Sequence, residues 1–508
     1  MSDILKKLNQ LENDLNRAKT YFYDHIKTKE SAIHILTHLD SDGLSSGAIL
    51  GKTLYREKIP FQITVLKQLE KEEIEKISNS VEEYHNFLIF SDFGSGQYQE
   101  LQDKLFPNAE FAHYIILDHH FPQGISNKED IDQLKEIHNK TRPWHINPYF
   151  YGIDGSYEIS GAGVCYLFSK CLNAENSDLS SIAIVGAIGD IQNQGPNKSF
   201  TGINGIILEE AKKCNLIEVV NDLNFSSIKP IHEAIAYSSD INLPGLTGDP
   251  NKTLKFIQTL GILIEHSNGN IRTLNDMSQD EKRKITSAII EYATVKLNIQ
   301  PSEIIDKLII NRYLLKNEKV GSELHDALEF SNLLNACGRT KSASLGIAIA
   351  MGDRKLAYEK SRENLIEYKN LLAKSISWIF EEDKIKEKDN IQYFFGEDVI
   401  PESVVGTISS MLIYEKSNRI DKSKALFGLA KREKENVYKV SARAHENLVN
   451  KGINLSNIIR EACKLTNLDV LGGGHAPAAG TKIPIEKAEL FLDNCNAIIK
   501  KYLEENLP

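Results

Sequence analysis

Four short acidic segments, each placed directly after an apolar run, constrain the fold of this chain more than any other feature. They are HLDSDG (38–43), SD (91–92), DHH (118–120) and GD (189–190). Between residues 31 and 200, short β-rich runs alternate with helical patterns, which is typical of buried parallel strands joined by crossover helices. The predicted strands of this α/β region are 32–36, 61–65, 87–90, 114–117 and 182–185.

The acidic segments should meet at one edge of the predicted sheet, because ligands bind outside the carboxyl ends of parallel strands. If the first strand continues through His38, Asp40 and Asp42, these side chains share one face, and Gly43 then allows the turn into a helix. Carboxylates with a minority of imidazoles suit Mn²⁺ or Mg²⁺. A lone DxDG is usually a turn or a weak cation loop, but four such segments together predict two divalent metals that share a carboxylate, an arrangement suited to cleaving a phosphodiester with a metal-bound hydroxide.

Beyond this first domain, residues 1–200, the pattern divides the chain into three further segments. Residues 201–305 are predicted to form a mostly helical insertion, either a structural spacer or a partner-docking surface. Residues 306–384 begin with a strand at 306–313, continue with a helix at 324–337 and end in a long connector helix at 354–381. Residues 385–508 are predicted to form a second α/β domain, with strands at 390–395, 425–430 and 437–441 and helices at 404–414, 455–465 and 485–502.

Composition narrows the classes of protein that fit this architecture. The six cysteines show no CxxC pair, which argues against a zinc knuckle and favours the cytoplasm, and no apolar run is long enough to span a membrane. The net charge of −10 disfavours nucleic-acid binding, so any such binding would need a local basic patch. Residues 412–445 carry nine lysines and arginines against four acidic residues, a stretch that predicts contact with a nucleic-acid backbone.

The segments THLDSDGLSS, SDFG, LDHH and GAIGD resemble the four motifs of the DHH phosphoesterase superfamily, which includes RecJ exonucleases, oligoribonucleases and manganese pyrophosphatases. The resemblance implies two divalent ions, with Mn²⁺ preferred and Mg²⁺ as the alternative. It implies that one metal is bound by His38, Asp40 and Asp92, and the other by Asp42, Asp92, His119 and Asp190. It further implies catalytic roles for Asp42, for His120 on the scissile phosphate and for Asp118, which would orient a histidine.

A glycine-rich motif near the carboxyl terminus is the second conspicuous feature. Successive glycines let backbone amides approach an anion, and a histidine adds a donor, although such a loop alone is more often a plain turn. The motif consists of Gly472, Gly473, Gly474 and His475, and it resembles that of the DHH-associated domain. Ser441 and Arg443 are similar to the Ser-x-Arg that RecJ proteins use on a 5′-phosphate, and Arg339 is assigned a comparable role. For either arginine, a surface salt bridge is the alternative.

The subtype follows from two longer stretches. HINPYFYGIDGSYEISGAG (145–163) and residues 325–339 look like archaeal RecJ homologues, including the GINS-associated nuclease. The resemblance implies a single-strand-specific exonuclease that works from 5′ to 3′ on DNA, with RNA as an alternative substrate, in replication or repair. The two domains would form a cleft too narrow for duplex. The implied partners are single-stranded nucleic acid, GINS and the replicative helicase.

Two other functions stay open. The chain could serve mainly as a replisome scaffold that binds GINS and the helicase through residues 201–305 or the second domain, with nuclease activity as a secondary function. Alternatively, it could hydrolyse short oligoribonucleotides or cyclic dinucleotides. Bacterial RecJ carries an oligonucleotide-binding fold after its second domain, whereas this sequence stops at Pro508. A partner protein is therefore expected to help hold the nucleic-acid strand and to supply processivity.

Overall fold

The computed structural model describes residues 2–26, 32–84, 87–105, 113–125, 127–238, 241, 243–297, 299–414, 419–432, 435–468 and 473–505. The chain divides into two compact units, Met1–Arg362 and Glu363–Pro508. Within the described ranges, no helix is both long and apolar enough to cross a membrane. The α/β class predicted from the sequence is confirmed, whereas the four-segment division remains a prediction.

The first unit is built on a sheet of five parallel strands, arranged in the order β2-β1-β3-β4-β5. The strands are β1 Ile33–His38, β2 Phe61–Leu66, β3 Phe87–Ser91, β4 His113–Leu117 and β5 His145–Ile146. The register pairs Thr37 with Ser91 and Ser91 with Leu117. Consequently, the residues that follow β1, β3 and β4 emerge at the same edge of the sheet.

Helices cover both faces of this sheet, as parallel strands require. One face packs Leu36, Phe90 and Ile116 against α3, α4 and α5, while α2 packs on β1 and β2 and also contacts α6, α7, α13 and α14. The helices of this part of the chain are α1 Ser2–His25, α2 Ser41–Arg56, α3 Lys71–Tyr84, α4 Tyr98–Leu105, α5 Ile131–Thr141, α6 Gly161–Leu172, α7 Ser180–Gly189, α8 Gly202–Lys213, α9 Ile231–Ala236, α10 Pro250–Thr259, α11 Gln279–Leu297, α12 Pro301–Leu308, α13 Ala327–Arg339, α14 Ala343–Met351 and α15 Leu356–Glu381.

Two sequence predictions for the first domain are wrong. Residues 182–185 are not a strand but part of α7, which is buried on nearly all sides. A short apolar run buried all round has no periodicity that separates a strand from a helix. The first strand also does not continue through Asp42. It ends at His38, Asp40 caps α2, and Asp42 lies in the first helical turn.

A strand missed by the sequence analysis lies inside the predicted helical insertion. β6, Ile217–Leu223, pairs antiparallel with β7, Ile309–Leu315. This two-stranded ribbon therefore brings together the two ends of the segment that contains the helices of the insertion. The helices α9–α12 between these strands share an apolar core that includes Ile231, Ile257 and Ile289. The predicted strand at 306–313 therefore begins too early, since α12 extends to Leu308.

The second unit contains a six-stranded mixed sheet, ordered β12-β13-β11-β10-β9-β8. Its strands are β8 Lys386–Glu387, β9 Ile391–Phe395, β10 Ala425–Arg432, β11 Val437–Arg443, β12 Gly473–His475 and β13 Ala478–Pro484. Its helices, besides the carboxyl-terminal part of α15, are α16 Val405–Ile413, α17 Glu446–Val449, α18 Leu455–Leu465 and α19 Ala488–Glu505. α18 and α19 pack on the sheet through Ile458, Phe491 and Phe427.

Candidate metal centre

The first acidic segment turns sharply from β1 into α2. Asp40 caps this helix, because its Oδ1 accepts a hydrogen bond from the Gly43 amide at 3.0 Å. A β-carbon at position 43 would lie 2.4 Å from the carbonyl oxygen of His38, so only glycine fits this approach. The turn brings His38 Nδ1 to 2.9 Å from Asp40 Oδ2.

Asp92, which follows β3, occupies the centre of the cluster. Its φ of +62° is a left-handed conformation that aspartate tolerates better than most residues. The side chain is buried, and its two oxygens face different histidines. Oδ2 lies 3.6 Å from His38 Nδ1, and Oδ1 lies 3.2 Å from His119 Nε2. This carboxylate therefore stands between two groups of polar side chains.

The second of these groups combines Asp42, His119 and Asp190. His119 Nε2 lies 3.6 Å from Asp42 Oδ2 and 3.8 Å from Asp190 Oδ2. Asp42 accepts hydrogen bonds from the amides of Gly161, at 2.7 Å, and Ala162, at 3.0 Å, which open α6. Asp190 follows α7, whose carboxyl end reaches the same edge as the strands. The predicted convergence of the acidic segments therefore occurs, although the fourth segment follows a helix.

The donor atoms fit divalent cations. In each of the groups His38/Asp40/Asp92 and Asp42/His119/Asp190, the donor atoms lie within 4.8 Å of one another. The short contact of 2.6 Å between His119 Nδ1 and the Gly155 carbonyl oxygen requires a proton on Nδ1, so Nε2 of the neutral ring carries a lone pair. That lone pair faces Asp92 Oδ1, and among the described residues neither buried atom has a hydrogen-bond partner. The two lone pairs repel each other, and a cation bound by both atoms would remove this repulsion.

The electrostatics of the cluster support the same conclusion. Burial raises the pKa of Asp42 well above its usual value, and the Asp92 carboxylate raises it further. Burial lowers the pKa of His119, but the Asp92, Asp190 and Asp42 carboxylates around the ring outweigh it, so this pKa lies well above the usual value and the site favours a positive charge at Nε2, as a bound cation would supply. The structure thus contains an acidic cluster that could hold metal ions, and its oxygen and imidazole donors are of the kind that suits Mn²⁺ or Mg²⁺.

Asp118 is buried and fixes the conformation of the DHH segment through hydrogen bonds. Its Oδ1 accepts hydrogen bonds from the amides of His119 and His120 and from His120 Nδ1 at 2.8 Å, while Oδ2 accepts from the Ser95 amide. Burial raises the pKa of Asp118, but the charge of His120 and these hydrogen bonds hold it below the usual range. Asp118 is fully buried, whereas the side chain of His120 is 55% exposed, so the pair presents an anchored imidazole at the surface.

Arg339 lies at the end of a helix that packs directly on the first acidic segment. Asn335 Oδ1 in α13 accepts a hydrogen bond from the Ser41 amide at 3.0 Å. A β-carbon at Gly338 would lie 1.7 Å from the carbonyl oxygen of Leu39, so α13 and the Leu39–Ser41 turn are in close contact. Arg339, the next residue, is half-buried.

In the second unit, Ser441 and Arg443 form one hydrogen-bonded group on β11. Arg443 Nη1 donates to Ser441 Oγ at 3.0 Å, and its Nε donates to Ser410 Oγ of α16 at 2.7 Å. Gly473, Gly474 and His475 form the edge strand β12, and the register aligns His475 with Ala478 and then with Arg443. Gly472 lies outside the described residues.

The basic stretch at 412–445 is partly neutralised. Among the described residues of the stretch, at least three cations form ion pairs with carboxylates from outside it, and these pairs are Lys424–Glu387, Lys431–Asp398 and Arg432–Glu402. The sequence count considers only charges inside the stretch, whereas the acids that pair with these cations come from elsewhere in the unit. The stretch therefore offers a weaker positive field than its composition predicts.

Several residues that build the centre were not singled out from the sequence. Gly155, Gly161 and Gly186 allow close approach, since a β-carbon at each would lie within 2.6 Å of His119 O, Asp92 Oδ1 or Asp42 Oδ1 respectively. Ser95, Asn147 and Gln192 are buried polar residues that hydrogen-bond to the motif loops. The only signal for any of them is proximity in sequence to the acidic segments or inclusion in residues 145–163.

Comparison with protein families gives two matches. The DHH-CID domain family matches residues 226–309, and the DHHA1 domain family matches residues 390–501. A full-length relative is the uncharacterized protein MJ0831 of Methanocaldococcus jannaschii. It is 32% identical over 501 residues, which cover 98% of this chain and 100% of that protein.

Solved structures share the fold. CDC45 from Entamoeba histolytica gives a TM-score of 0.62 at 12% identity, over 96% of this chain and 99% of that chain. RecJ in complex with Mn²⁺ from Thermus thermophilus gives 0.55 at 14% identity, over 96% of this chain and 55% of that chain. An exonuclease RecJ bound to manganese gives a TM-score of 0.54 at 14% identity, over 96% of this chain and 94% of that chain. The chain therefore belongs to the DHH phosphoesterase family and has a RecJ-like fold.

Proposed function

We propose that this chain is a two-metal, single-strand-specific exonuclease that degrades DNA from 5′ to 3′ in replication or repair, with Mn²⁺ as its preferred ion. The observation that carries the proposal is the position of Asp92, whose two oxygens face His38 and His119 in two adjoining donor groups. His38, Asp40 and Asp92 would hold one ion. Asp42, Asp92, His119 and Asp190 would hold the other.

The chain's own residues supply orientation and protons around that pair of ions. Two bound cations would activate water and neutralise charge that develops on the phosphate. Partial desolvation and the charge of the neighbouring His119 lower the pKa of His120, but Asp118 and Asp92 raise it more, so the pKa of this half-exposed imidazole lies above the usual value. His120 is therefore suited to donate a hydrogen bond or a proton to the scissile phosphate. Asp118 acts as the positioning residue for this imidazole.

The 5′-phosphate of the substrate would bind to the second unit. Ser441 and Arg443 form a preorganised donor pair, and a guanidinium matches a phosphate geometrically. The backbone of the 472–475 motif would add amide donors. Arg339 is proposed separately, as a contact to a substrate phosphate at the metal centre of the first unit.

Digestion of end-labelled single-stranded DNA and RNA, with and without a 5′-phosphate and in Mn²⁺ or Mg²⁺, tests the proposal. Mononucleotides released from the 5′ end are expected. Asp92→Asn and Asp42→Ala should abolish cleavage while circular dichroism stays unchanged. Asp132→Asn removes a carboxylate whose side chain is fully exposed on α5 and serves as the matched control. Retained Mn²⁺-dependent cleavage by Asp92→Asn would end the assignment.

The 5′-phosphate site has its own test. Arg443→Lys keeps the charge but loses the fork of donors, so the preference for 5′-phosphorylated over 5′-hydroxyl ends should fall. Arg283→Lys alters an exposed arginine of α11 and should leave that preference intact. An unchanged preference in Arg443→Lys would remove Arg443 from the substrate site.

A second candidate function is a replisome scaffold that binds GINS and the replicative helicase. The DHH-CID match at 226–309 and the fold shared with CDC45 favour it. Co-purification of a tight complex from cells in which an Asp92→Asn allele supports growth would select the scaffold. Cleavage confined to dinucleotides and very short RNA would instead select an oligoribonucleotide hydrolase.

A further inference from the structure

A buried chain of side-chain amides extends from the candidate metal centre to the first turn of α8. Gln192 Nε2 donates to Asp190 Oδ2 at 2.8 Å and to the Gly155 carbonyl oxygen at 2.9 Å. That carbonyl oxygen also accepts from His119 Nδ1 at 2.6 Å. A single amide group thus contacts one candidate ligand directly and another through a shared acceptor.

The orientation of the Gln192 amide is fixed by its partners. Nε2 also lies 3.4 Å from His119 Nδ1, which carries a proton of its own, and its two closer partners are oxygens that only accept. Nε2 must therefore be the NH₂ group, and Oε1 must point away from Asp190. Oε1 accepts from Asn204 Nδ2 at 2.7 Å. Asn204 is itself held by its backbone, whose amide donates to the Glu158 carbonyl oxygen at 2.8 Å.

Gln192 and Asn204 are buried, so the loss of any one of their hydrogen bonds is costly. Gln192 is 0% exposed and Asn204 is 1% exposed, so no solvent is available to replace a lost partner. A buried donor or acceptor left without its partner is costly, and hydrogen bonds in such a site are stronger than in water. Asp190, by contrast, has a side chain that is 31% exposed and would be free to turn without the donor on Gln192.

We propose that Gln192 is a positioning residue for the metal centre and that Asn204 fixes the orientation of its amide. Gln192 would hold the Asp190 carboxylate and the Gly155 carbonyl, and through the latter the ring of His119, in the geometry that binds the ion of the Asp42/His119/Asp190 group. The inference rests on the proposed function only in assigning these residues to a divalent ion. It holds whether or not the bound ion serves a nuclease.

Titration of the full-length protein with Mn²⁺, followed by calorimetry and by the electron paramagnetic resonance of free Mn²⁺, tests the inference without an activity readout. Loss of an outer hydrogen-bond partner typically weakens metal binding by about 10- to 100-fold. Gln192→Glu and the uncharged Gln192→Met should each weaken the binding of one ion by that factor. Asn204→Asp should do the same although it touches no candidate ligand, because its carboxylate would oppose Oε1.

Gln194→Glu is the matched control, since it makes the same substitution two residues away at an exposed side chain. It should bind Mn²⁺ like the wild type. Wild-type affinity in both Gln192→Met and Asn204→Asp, with native circular dichroism, would overturn this inference alone. A wild type that binds two Mn²⁺ ions tightly but cleaves no nucleic acid would overturn the proposed nuclease and leave the positioning role in place. A wild type that binds no Mn²⁺ would overturn both.

Discussion

Gly161 packs against Asp92 so closely that a β-carbon at position 161 would lie 2.5 Å from Asp92 Oδ1 and 3.0 Å from Asp42 Oδ2. The same residue donates its amide hydrogen to Asp42. The first residue of α6 therefore helps to shape the space between two carboxylates from different motifs. Any side chain there must displace at least one of them.

Gly161→Ala is expected to lower Mn²⁺ affinity about tenfold or more, comparable to the loss of a residue that supports a metal ligand. The helix should persist, because alanine is the best helix former. Calorimetric titration with Mn²⁺ measures the effect. Gly205→Ala is the control within α8, where the nearest atom to a new β-carbon is Phe200 O at 3.4 Å. Equal Mn²⁺ affinities in the two variants would contradict the packing argument.

The strand ends of β1, β3 and β4 could be predicted from the sequence, and with them the convergence of His38, Asp92 and His119. Apolar runs that end in acidic residues define those positions, and parallel strands then bring them to one edge. Asp190 joins the same edge although its strand was wrongly predicted, because α7 ends there. The position of Asp190 could be predicted from the residue at which the apolar run 182–188 ends, whether that run forms a strand or a helix.

The supporting residues could not be predicted in this way. Gly155, Gly161 and Gln192 act by close approach or by buried hydrogen bonds to segments distant in the sequence. No local periodicity encodes such contacts. Likewise, the charge count over 412–445 could not include Glu387, Asp398 and Glu402, which pair with its cations only in the folded unit.

A buried carboxylate fastens α1 to the first unit. Asp14, which is 3% exposed, accepts a hydrogen bond from the Tyr151 hydroxyl at 2.9 Å, and its Oδ2 lies 2.7 Å from His138 Nε2. Asp14→Ala should lower the free energy of unfolding by about 2 kcal/mol, because the buried Tyr151 hydroxyl loses its acceptor and the contact with His138 is lost. Urea unfolding measures the change. Asp3→Ala removes an exposed carboxylate from the same helix and should cost much less, so equal losses would refute the role of Asp14.

His145 should make the stability of the first unit depend on pH. Burial lowers its pKa from 6.5 to about 3, so the folded protein keeps this ring neutral while the unfolded chain protonates it below pH 6.5. The unfolded state then binds more protons, and the free energy of unfolding falls as the pH drops from 6.5 towards 3, by up to about 1.4 kcal/mol per pH unit.

Urea unfolding of the wild type and of His145→Gln at pH 7, 6 and 5 isolates this contribution. Glutamine keeps a polar group for Ser95, whose hydroxyl lies 2.8 Å from His145 Nε2, but it does not titrate. The stability advantage of the wild type over the variant should therefore shrink as the pH falls. A difference that is constant over this range would show that the folded ring takes up its proton as readily as the unfolded one, and that burial does not lower the pKa of His145.

Ile191, the residue after Asp190, combines a φ of +56° with 63% exposure. A left-handed conformation costs a residue other than glycine about 1–2 kcal/mol, more than glycine loses through the greater freedom of its unfolded chain. Ile191→Gly should therefore raise the free energy of unfolding by about 0.5–1 kcal/mol, since little buried apolar contact is lost. Val295→Gly, which replaces a 76%-exposed residue within α11, should instead lower it by about 0.3–0.5 kcal/mol. Thermal unfolding monitored by circular dichroism should shift the two variants in opposite directions, and a loss of stability in both would show that Ile191 is not strained.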